Sequence, residues 1–546
     1  MAGAIVLCAG CTAATKAETT VSEAPRIVNI VNFIRQLEPR TDDPDMMRDE
    51  LYETVVEQVK QLKQYGLPGT FLLQYDALLN PKYQELLKTE LTPGSEVGAW
   101  WEITQPHVEA AGMAWRGRFP WDWHADVGFA TGYTPAEREK LVDVYMEKFK
   151  SVFGKYPASV GSWFIDAHTL GYMSDKYHIT ASCNCKDQIG TDGYTLWGGY
   201  WNQAYYPSRR NAYMPAQTAT GQIPVPVFRM LGSDPIYQYD AGLGGAAQHV
   251  ISLEPVYQGH EGGGGTRGWV EWFFRSMFDE PCLAFNYVQA GQENSFTWAK
   301  MREGLEMQIP MLDSLHKQGK IRIETLESSG RWFRERYPVT PATAVAALTD
   351  HRNQGNKTVW YNSRFYRVNL LWEGSAFRFR DIHLFDERFE SDYLTKAGES
   401  TQCIYTTLPV VDGFMWSTRS DKAGLRIVGS DGQPLTVGAP AVSELPDNVL
   451  QVAFSDAAER KFTFTFYEDR FEVTGNDKDS WALELKTAAA PAELPFVSVE
   501  KSQIRAAYSG FEYGIACLKG AFAEADGCAF RILPDKGEIT VDCSKR

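Results

Sequence analysis

The order of hydrophobic and polar residues divides the chain into two parts. Over residues 26–337, short runs rich in Val, Ile and aromatic residues alternate with longer segments whose apolar residues recur at helical spacing. After Pro341 the pattern changes to period-two alternation, interrupted by Gly, Asn and Asp turns. The first part therefore predicts repeated strand–helix units, and the second part predicts an antiparallel β domain.

The strand–helix part contains enough units to close a barrel. Strands that alternate with helices form a parallel sheet, and seven or eight units can close it. A capping box at Thr134 and Glu137, with Pro135 at the first helical position, marks the start of one helix. The predicted fold class is α/β: a (β/α)7–8 TIM-like barrel followed by an antiparallel β-sandwich. The predicted barrel strands are residues 26–35, 69–75, 97–103, 160–166, 180–185, 225–230, 282–290 and 321–326, and the predicted helices are residues 45–65, 81–88, 134–153, 170–177, 268–278, 296–317 and 328–337.

Three segments follow from this pattern: residues 1–24 as a signal remnant and tether, residues 25–340 as the barrel, and residues 341–546 as the sandwich. The short apolar run before Cys11 resembles the end of a bacterial lipoprotein signal, which implies a lipid on Cys11 and a location in the cell envelope. The alternative is a frayed apolar N-terminus. Past this run, no apolar stretch approaches the ~20 residues of a membrane-spanning helix, so membrane contact is expected only through the lipid.

The amino-acid composition indicates which classes of molecule the chain is expected to bind. The formal net charge is −15, and no run of Lys and Arg offers the phosphate contacts that nucleic-acid binding requires. Aromatic residues make up 13% of the chain and include 16 Trp, a side chain that stacks on sugar rings. Large protein cores also use aromatic residues. Carbohydrate is therefore the expected partner and nucleic acid is not, while the oligomeric state stays open.

The third predicted strand carries a family resemblance. Its phrase E-V-G-A-W at residues 96–100 resembles the E-I-G-N-H phrase of polysaccharide deacetylase and glycoside hydrolase family 57-like barrels. The deacetylase phrase supplies two metal-binding histidines, and those positions here are Trp100 and Thr104. The final strand and helix also look like the end of those barrels. The resemblance covers about residues 26–337 and extends to bacterial lipoproteins that join such a barrel to a C-terminal β domain.

Acidic residues follow several predicted strands, and the carboxyl ends of barrel strands converge on one mouth. Glycoside hydrolysis needs two carboxylates, about 5 Å apart for retention or about 6.5–9.5 Å apart for inversion. The family resemblance implies Asp166, after the fourth strand, as the nucleophile. We expect Glu102 to be the acid, with Glu293 as the alternative from a later strand. Further acids in such positions are Glu38 and Asp187.

Aromatic and imidazole side chains near these strand ends are candidate substrate-binding residues. The aromatic loops could present sugar platforms, although some of these rings will belong to the core. The glycine run at residues 262–265 lacks the surroundings of a phosphate loop and is interpreted as a flexible lid. The candidates are Trp100, Trp101, His107, Trp121, Trp123, His124, His168, Trp197 and Trp201.

The sequence predicts a glycoside hydrolase that uses two carboxylates and no cofactor, and two alternatives stay open. A metal-dependent carbohydrate deacetylase would need an Asp and two His around a divalent ion. A catalytically inactive glycan-binding lipoprotein would use only the aromatic loops. The donors available for a metal centre are His107, His124, Asp126, Asp166 and His168.

Overall fold

The computed structural model describes residues 24–36, 44–477, 480–524, 527 and 529–545. Cys11, almost all of the predicted tether, and Glu38 lie outside these residues. Over the described part of the chain, none of the helices has the length and apolar content needed to cross a membrane. The α-helices are α1 (Pro44–Tyr65), α2 (Tyr75–Leu79), α3 (Pro81–Thr89), α4 (Gln105–Ala110), α5 (Pro135–Phe153), α6 (Ala167–Tyr177), α7 (Arg267–Phe278), α8 (Trp298–Lys317) and α9 (Leu326–Arg336).

The strands fall into an early and a late set. The early set is β1 (Arg26–Ile34), β2 (Thr70–Leu73), β3 (Glu96–Trp100), β4 (Ser159–Gly161), β5 (Ala181–Asn184), β6 (Gln188–Thr191), β7 (Tyr194–Trp197), β8 (Ala204–Tyr205), β9 (Val227–Arg229), β10 (Asn286–Ala290) and β11 (Arg322–Glu324). The late set begins with β12 (Thr343–Ala347), β13 (Lys357–Asn362), β14 (Tyr366–Glu373), β15 (Ala376–Leu384), β16 (Cys403–Thr406), β17 (Leu408–Asp412), β18 (Gly424–Gly429), β19 (Ala441–Leu445) and β20 (Val449–Ser455). It ends with β21 (Lys461–Phe466), β22 (Arg470–Gly475), β23 (Trp481–Lys486), β24 (Phe496–Glu500), β25 (Gln503–Tyr508), β26 (Phe511–Lys519), β27 (Ala521–Ala523), β28 (Phe530–Leu533) and β29 (Glu538–Asp542).

The early strands form a nearly closed barrel. Their order is β10-β1-β2-β3-β4-β5-β9-β8, with β11 also paired to β1, and every pair is parallel except β8–β9. The seam lies between the terminal strands β8 and β10, where the side chain of Gln203, next to β8, replaces ladder hydrogen bonds. Gln203 Oε1 accepts the backbone N–H of Tyr287 at 2.8 Å, and Nε2 donates to Asn286 Oδ1 at 3.5 Å. The predicted barrel is confirmed, with a side-chain bridge at its open edge.

Alternation along β1 shows how the sequence builds two cores. Ile27, Val31 and Phe33 belong to one buried cluster inside the barrel, together with Trp100 and Phe228. Val28, Ile30 and Ile34 pack in a second cluster with the surrounding helices. Since successive side chains of a strand point to opposite faces, a continuous apolar run serves both layers.

Some predicted elements differ from the observed ones because their pairing is not local. The predicted strand 160–166 is only three residues long, since the chain leaves the ladder after Gly161. The predicted loop 186–224 contains β6, β7 and β8. In that loop, β7 pairs in parallel with β16, which lies about two hundred residues later in the chain. The capping box of α5 forms as predicted, with Glu137 N–H donating to Thr134 Oγ1.

The late strands form two antiparallel sheets. One has the order β12-β13-β14-β15-β18-β23-β28-β27 with β17 beside β15, and the other has the order β19-β20-β21-β22-β29-β26-β25-β24. Aromatic rings of the two sheets contact each other, for example Phe379 with Phe464 and Phe471. The β-sandwich itself stays a prediction that these contacts favour. The change from helices to strands lies between α9 and β12, and the predicted boundary at residues 340–341 falls in that interval.

A buried charge network joins the barrel to the late sheets. Asp187, just after β5, accepts hydrogen bonds from Arg229 of β9 at 2.6 Å and Arg367 of β14 at 2.5 Å. Arg367 also binds Asp381 of β15 at 2.7 Å. All four side chains are at most 3% exposed, so each charge depends on its partners. Asp187 therefore serves the contact between the barrel and the late sheets.

Candidate active site at the carboxyl end of the barrel

Charged and amide side chains ring the carboxyl ends of the barrel strands, where parallel barrels bring side chains together. They follow β1, β2, β3, β5 and β10, and one more comes from the loop beyond β9. We call this set the mouth cluster. Its members are Arg35, Gln74, Glu102, Lys186, Glu254, Gln292 and Glu293.

Arg35 holds two of the predicted acids together. Its Nε and Nη2 donate to Glu102 at 2.9 and 2.6 Å, and its Nη1 lies 2.8 Å from Glu293 Oε2. Gln74 Nε2 adds a third hydrogen bond to Glu102 at 2.6 Å. Glu102 is 1% exposed, so a two-point ion pair and an amide fix it in place. Glu102 is therefore positioned to orient Arg35.

Glu293 has a different environment from Glu102. It lies three residues past β10, is 6% exposed, and accepts a hydrogen bond from Ser295 Oγ at 2.7 Å. Arg35 is its ion-pair partner and favours the ionised carboxylate. Glu293 is thus a carboxylate anion held at the mouth by one side of a shared guanidinium.

Glu254 lies at the seam of the barrel. Leu253 N–H donates to Leu231 O at 3.0 Å, which places Glu254 beyond the carboxyl end of β9. Its carboxyl group accepts from Ser252 Oγ at 2.6 Å and from Gln292 Nε2 at 3.0 Å. Burial raises the pKa of Glu254, and the charge of Lys186 is the main opposing effect. The protonated, neutral form of Glu254 therefore persists to a higher pH than that of an exposed glutamate.

Gln292 joins Glu254 to Glu293 across the seam. While its Nε2 donates to Glu254, its Oε1 accepts the backbone N–H of Glu293 at 2.8 Å. The pKa of the nearby Tyr257 phenol is raised by the charge of Glu254 first, then by burial, and more weakly by the charge of Glu293. Gln292 thus links two acids that have contrasting environments.

The glycine run at residues 262–265 supports the Glu254 loop. Gly264 N–H donates to Ser252 O at 2.8 Å, and a Cβ at Gly264 would lie 2.0 Å from Leu253 O. Gln308 Nε2 donates to the carbonyl groups of both Leu253 and Gly264. The expectation of a flexible lid is wrong, since these glycines allow a close, buried contact between two backbones.

A further acid lies behind Glu102. Asp76 follows β2, is 3% exposed, and uses Oδ1 to accept the backbone N–H of Ala77 at 2.8 Å. Its Oδ2 has no hydrogen-bond partner among the residues that the structure describes. Burial, with a contribution from the charge of Glu102, raises the pKa of Asp76 to about 7. Asp76 is thus largely protonated in weak acid, beside the Glu102 carboxyl group that pairs with Arg35.

Of the predicted sugar platforms, Trp121 reaches the mouth cluster. The Arg35 guanidinium lies 4.3 Å from the centre of the Trp121 ring, a cation–π contact, and Trp121 is 4% exposed. Trp123 is half-buried beneath Arg118, whose guanidinium lies 4.7 Å from its ring. Trp121 therefore packs against Arg35, the side chain that pairs with both Glu102 and Glu293. Trp123 lies two residues further along the same loop.

Asp166 is not in the mouth cluster, which corrects its predicted role. It is fully buried, where it caps α6 by accepting Thr169 N–H at 2.9 Å and pairs with Arg138 at 2.9 Å. Arg138 also donates to backbone carbonyls of Tyr393 and Lys396 from the late part of the chain. Both oxygens of Asp166 are thus engaged, since Thr169 Oγ1 occupies the second. A carboxylate used in this way holds structure together and cannot attack a sugar.

Four further predicted platforms lie in the core, so their ring faces are not available. Trp100 points into the barrel and stacks on Phe33 with ring centres 4.2 Å apart. Trp101 points the other way, into the helix layer. Trp197 donates to Asp412 Oδ2 at 2.8 Å, and Trp201 stacks on Trp360 at 3.8 Å. Trp100 and Trp101 are buried on opposite sides because successive side chains of an extended chain point in opposite directions. Trp197 and Trp201 are buried because residues of the late sheets pack against them.

The predicted histidines lie apart from one another. Burial lowers the pKa of His107 to about 4; its ring stacks on Tyr75 and its Nε2 donates to Leu141 O. His168 pairs with Glu139 on the outer helices at 3.0 Å. His124 lies 3.8 Å from Asp122 in the loop after β3. Within the described ranges, no three His, Cys, Asp or Glu side chains are arranged to hold a metal ion, so this donor set does not fit a deacetylase centre.

Five members of the mouth cluster were not predicted from the sequence as site residues: Arg35, Gln74, Lys186, Glu254 and Gln292. Arg35 gives a usable signal, since it is a cation directly after the apolar strand β1. Lys186 follows β5 in the same way. Glu254 gives no such signal, because it follows no predicted strand and reaches the mouth only through the hydrogen bonds of Leu253.

Comparison with known proteins is informative at the level of fold. No protein-family model matches the chain, and no curated protein is significantly similar to it. A crystal structure of a candidate glycoside hydrolase/deacetylase from Parabacteroides distasonis aligns with a TM-score of 0.51 at 16% identity, covering 70% of this chain and 90% of that one. A candidate polysaccharide deacetylase from Mycobacterium smegmatis aligns at 0.34 and 12% identity, covering 58% and 93%. A GH57 branching enzyme from Thermococcus kodakaraensis aligns at 0.31 and 11%, covering 57% and 71%. The first likeness establishes a shared fold.

Proposed function

We propose that this chain is a carbohydrate-acting hydrolase of the glycosidase type, with Glu254 as the acid and Glu293 as the ionised carboxylate. The observation that carries this proposal is the Gln292 bridge, in which one side chain donates to the Glu254 carboxyl group and accepts the backbone N–H of Glu293, and so links two acids of contrasting electrostatic environment at the barrel mouth. Burial favours the neutral form of Glu254, and Arg35 favours the ionised form of Glu293. Two titratable groups separated in this way are suited to acid and base roles.

The proposed step uses each group once. Glu254 donates its proton to the glycosidic oxygen, which leaves with the electrons of the broken C–O bond. Glu293 either attacks the sugar carbon or takes a proton from the attacking water, and the separation of the carboxyl groups decides between these routes. In both routes Glu254 becomes a carboxylate, and a proton from water restores it when the nucleophile is a covalent Glu293.

Arg35 and Glu102 have positioning roles in this proposal. Glu102 holds the guanidinium through two hydrogen bonds, and the guanidinium in turn holds Glu293. Such an outer residue restricts the rotamers of the reacting group, which catalysis requires. Trp121 stacks on Arg35 and covers one face of its guanidinium.

The choice of carbohydrate as substrate rests on two supports. The solved structure from Parabacteroides distasonis, which shares the fold, is described as a glycoside hydrolase or deacetylase. The mouth cluster combines carboxylates and amides, and the Trp121 indole packs against its Arg35. Such groups bind sugar hydroxyls and ring faces. The same description keeps a metal-dependent deacetylase as the second candidate. A location in the cell envelope, through a lipid on Cys11, belongs to the proposal and is tested by membrane fractionation of Cys11→Ala.

The test is hydrolysis of a panel of aryl glycosides, polysaccharides and acetylated glycans, with and without a chelator. We expect chelator-resistant sugar release from polysaccharides, whose leaving groups need a proton, and both Glu254→Gln and Glu293→Gln should abolish it. Glu306→Gln, at an exposed position on α8, is the matched control. Acetate release that the chelator abolishes would transfer the assignment to the deacetylase. Glycan binding without turnover in the wild type would favour the binding protein.

A further inference from the structure

A pocket lined by two arginines is built partly from the loop that carries Glu254. Its volume is about 380 Å³, within the range of about 300–1,000 Å³ that is typical of small-molecule sites. The loop between β9 and α7 forms one part of its wall, and the loops β12–β13 and β17–β18 form the rest. We call it the arginine pocket; its lining includes Asp240, Ile251, Glu261, Arg352, Arg419 and Lys422.

Neither Arg352 nor Arg419 is paired with an acid in the part of the chain that the structure describes. No carboxylate oxygen of those residues lies within 4.0 Å of either guanidinium. A guanidinium is always charged, and its planar fork of N–H donors matches the oxygens of carboxylate and phosphate groups. Two such forks on one pocket therefore offer a site for an anionic group of a ligand.

Backbone carbonyl groups hold both guanidinium groups in place. Arg352 Nη2 donates to Glu261 O at 2.7 Å, and the Arg352 guanidinium lies 3.9 Å from the centre of the Tyr237 ring. Arg419 Nε donates to Leu243 O at 3.0 Å. A neutral carbonyl orients an arginine without cancelling its charge. Both forks are therefore oriented before an anion binds, which lowers the entropic cost of binding it.

The other charges around the pocket leave an excess of cations. Asp240 pairs with Arg378 at 3.2 Å and with Arg380 at 3.3 Å, and Lys422 pairs with Glu373 at 2.5 Å. The half-exposed Glu261 carboxylate lies 3.9 Å from His249 Nδ1. With these neighbours included, five arginine and lysine side chains face three carboxylates. The region is thus locally positive, although the chain as a whole has a formal net charge of −15.

The arginine pocket lies close to the proposed acid. Ile251 lines the pocket and Glu254 follows three residues later, so their Cα atoms are at most about 11 Å apart. Both belong to the loop after β9, at the carboxyl end of the barrel. A short oligosaccharide bound at Glu254 therefore reaches the two arginines.

We propose that the arginine pocket binds an acidic group of the substrate, a uronate carboxylate or a sulfate ester, and that the glycan cleaved at the mouth is anionic. This inference rests on the proposed function. It also explains why the sequence offers no run of Lys and Arg, because Arg352 and Arg419 come from loops that lie far apart in the chain.

The test measures oligosaccharide binding by isothermal titration calorimetry, with the full chain carrying Glu254→Gln so that bound sugar is not cleaved. The probes are oligogalacturonate, a sulfated galactan oligosaccharide, the carboxyl-reduced or desulfated counterpart of each, and inorganic sulfate. We expect an acidic probe to bind more tightly than its neutral counterpart. Arg352→Met and Arg419→Met should each weaken that binding roughly 10- to 100-fold and leave the neutral counterpart unaffected. Arg302→Met, at an exposed position on α8, is the matched control.

Kinetics of the otherwise wild-type chain add a second readout. For an acidic substrate, both methionine variants should raise KM and leave kcat unchanged, because the arginines bind the ground state and the transition state equally. Arg352→Lys should recover only part of the affinity, since an ammonium keeps the charge but loses the fork. Arg419 is exposed. Arg419→Met therefore carries the comparison if Arg352→Met, which loses the contact with Tyr237, does not fold.

The outcomes separate this inference from the proposed function. Equal affinity for acidic and neutral probes, or acidic binding that both methionine variants retain, would overturn the inference. Binding of inorganic sulfate without any acidic oligosaccharide would overturn it as well, because the pocket would then hold a free anion. If acidic probes bind through both arginines but Glu254→Gln and Glu293→Gln do not change turnover, only the proposed function fails. If both glutamates are essential for cleaving neutral glycans and the arginine variants behave like wild type, only the inference fails.

Discussion

Glu254 and Glu293 are joined by one side chain: Gln292 Nε2 donates to Glu254 at 3.0 Å, and Gln292 Oε1 accepts the N–H of Glu293 at 2.8 Å. This bridge joins the loop beyond β9 to the loop after β10, on the side of the barrel where the ladder is interrupted between β8 and β10. The open edge of the barrel is thus the place where the two candidate reacting groups meet. The open edge of the sheet therefore lies next to Glu254, Gln292 and Glu293.

Gln292→Leu should reduce activity without unfolding the protein. The substitution removes a donor to Glu254 and the acceptor for the Glu293 backbone, so both groups lose orientation. We expect kcat to fall about 10- to 100-fold, while the midpoint of thermal unfolding moves by a few degrees at most. Gln105→Leu, at an exposed position where Gln105 donates to Glu109, is the control. A Gln292→Leu enzyme with wild-type kcat would remove the bridge from the mechanism.

Arg35→Met should be strongly destabilising as a single change. It leaves Glu102 and Glu293 in the barrel mouth without their cation, and breaking a buried pair costs about 3–5 kcal/mol. Combining it with Glu102→Leu should recover part of the free energy of unfolding, because one uncompensated charge disappears. Urea unfolding of the two single variants and the double variant measures this coupling. Simple additivity of the single effects would contradict the shared ion pair.

Arg367→Met should weaken the contact between the barrel and the late sheets. Arg367 links Asp187 of the barrel to Asp381 of β15, and both acids are almost fully buried. We expect a loss of about 3–5 kcal/mol in the free energy of unfolding. Limited proteolysis should then cut between residues 337 and 343, where the chain passes from α9 to β12. An unchanged urea midpoint would show that the network contributes no stability.

Much of the fold follows from patterns that are local in the sequence. The strand–helix order, the α5 capping box and the change of texture near Pro341 each depend on neighbouring residues, and the structure contains all three. The pairing of β7 with β16 could not be predicted, because its partner lies in the late part of the chain. Alternation predicts only which side chains of a strand share a face. From the sequence, Trp100 and Trp101 were therefore equally good candidates for binding sugar, although one lies inside the barrel and the other lies in the helix layer.

The candidate site was predictable in part for the same reason. Glu102 and Glu293 follow predicted strands, and the convergence of strand ends brings them to Arg35. Asp166 also follows a predicted strand, but the chain turns into α6 there and uses the carboxylate as a cap. Glu254 depends on an irregular loop anchored by buried glycines, and no periodic pattern encodes such a path.

Glu96→Gln should change how stability depends on pH. Glu96 is buried at the start of β3, where burial raises its pKa from 4.5 to about 7. The folded state therefore binds its proton more tightly than the unfolded state does. The stability from this proton is complete below pH 4.5 and is lost as the pH rises through about 7. Relative to wild type, Glu96→Gln should thus gain stability between pH 5 and 8, by roughly 3 kcal/mol at most. Urea unfolding at several pH values gives this difference, and parallel curves would contradict it.

The most direct test of the two-carboxylate mechanism compares Glu254→Gln and Glu293→Gln on aryl glycosides that differ in leaving group. We expect Glu254→Gln to keep much of its activity with a nitrophenyl leaving group, which departs without a proton. With a poor leaving group the same variant should lose about 100-fold or more. Glu293→Gln should lose activity with both substrates. Equal losses for Glu254→Gln with good and poor leaving groups, or full activity of either variant with both, would contradict the assignment of acid and carboxylate.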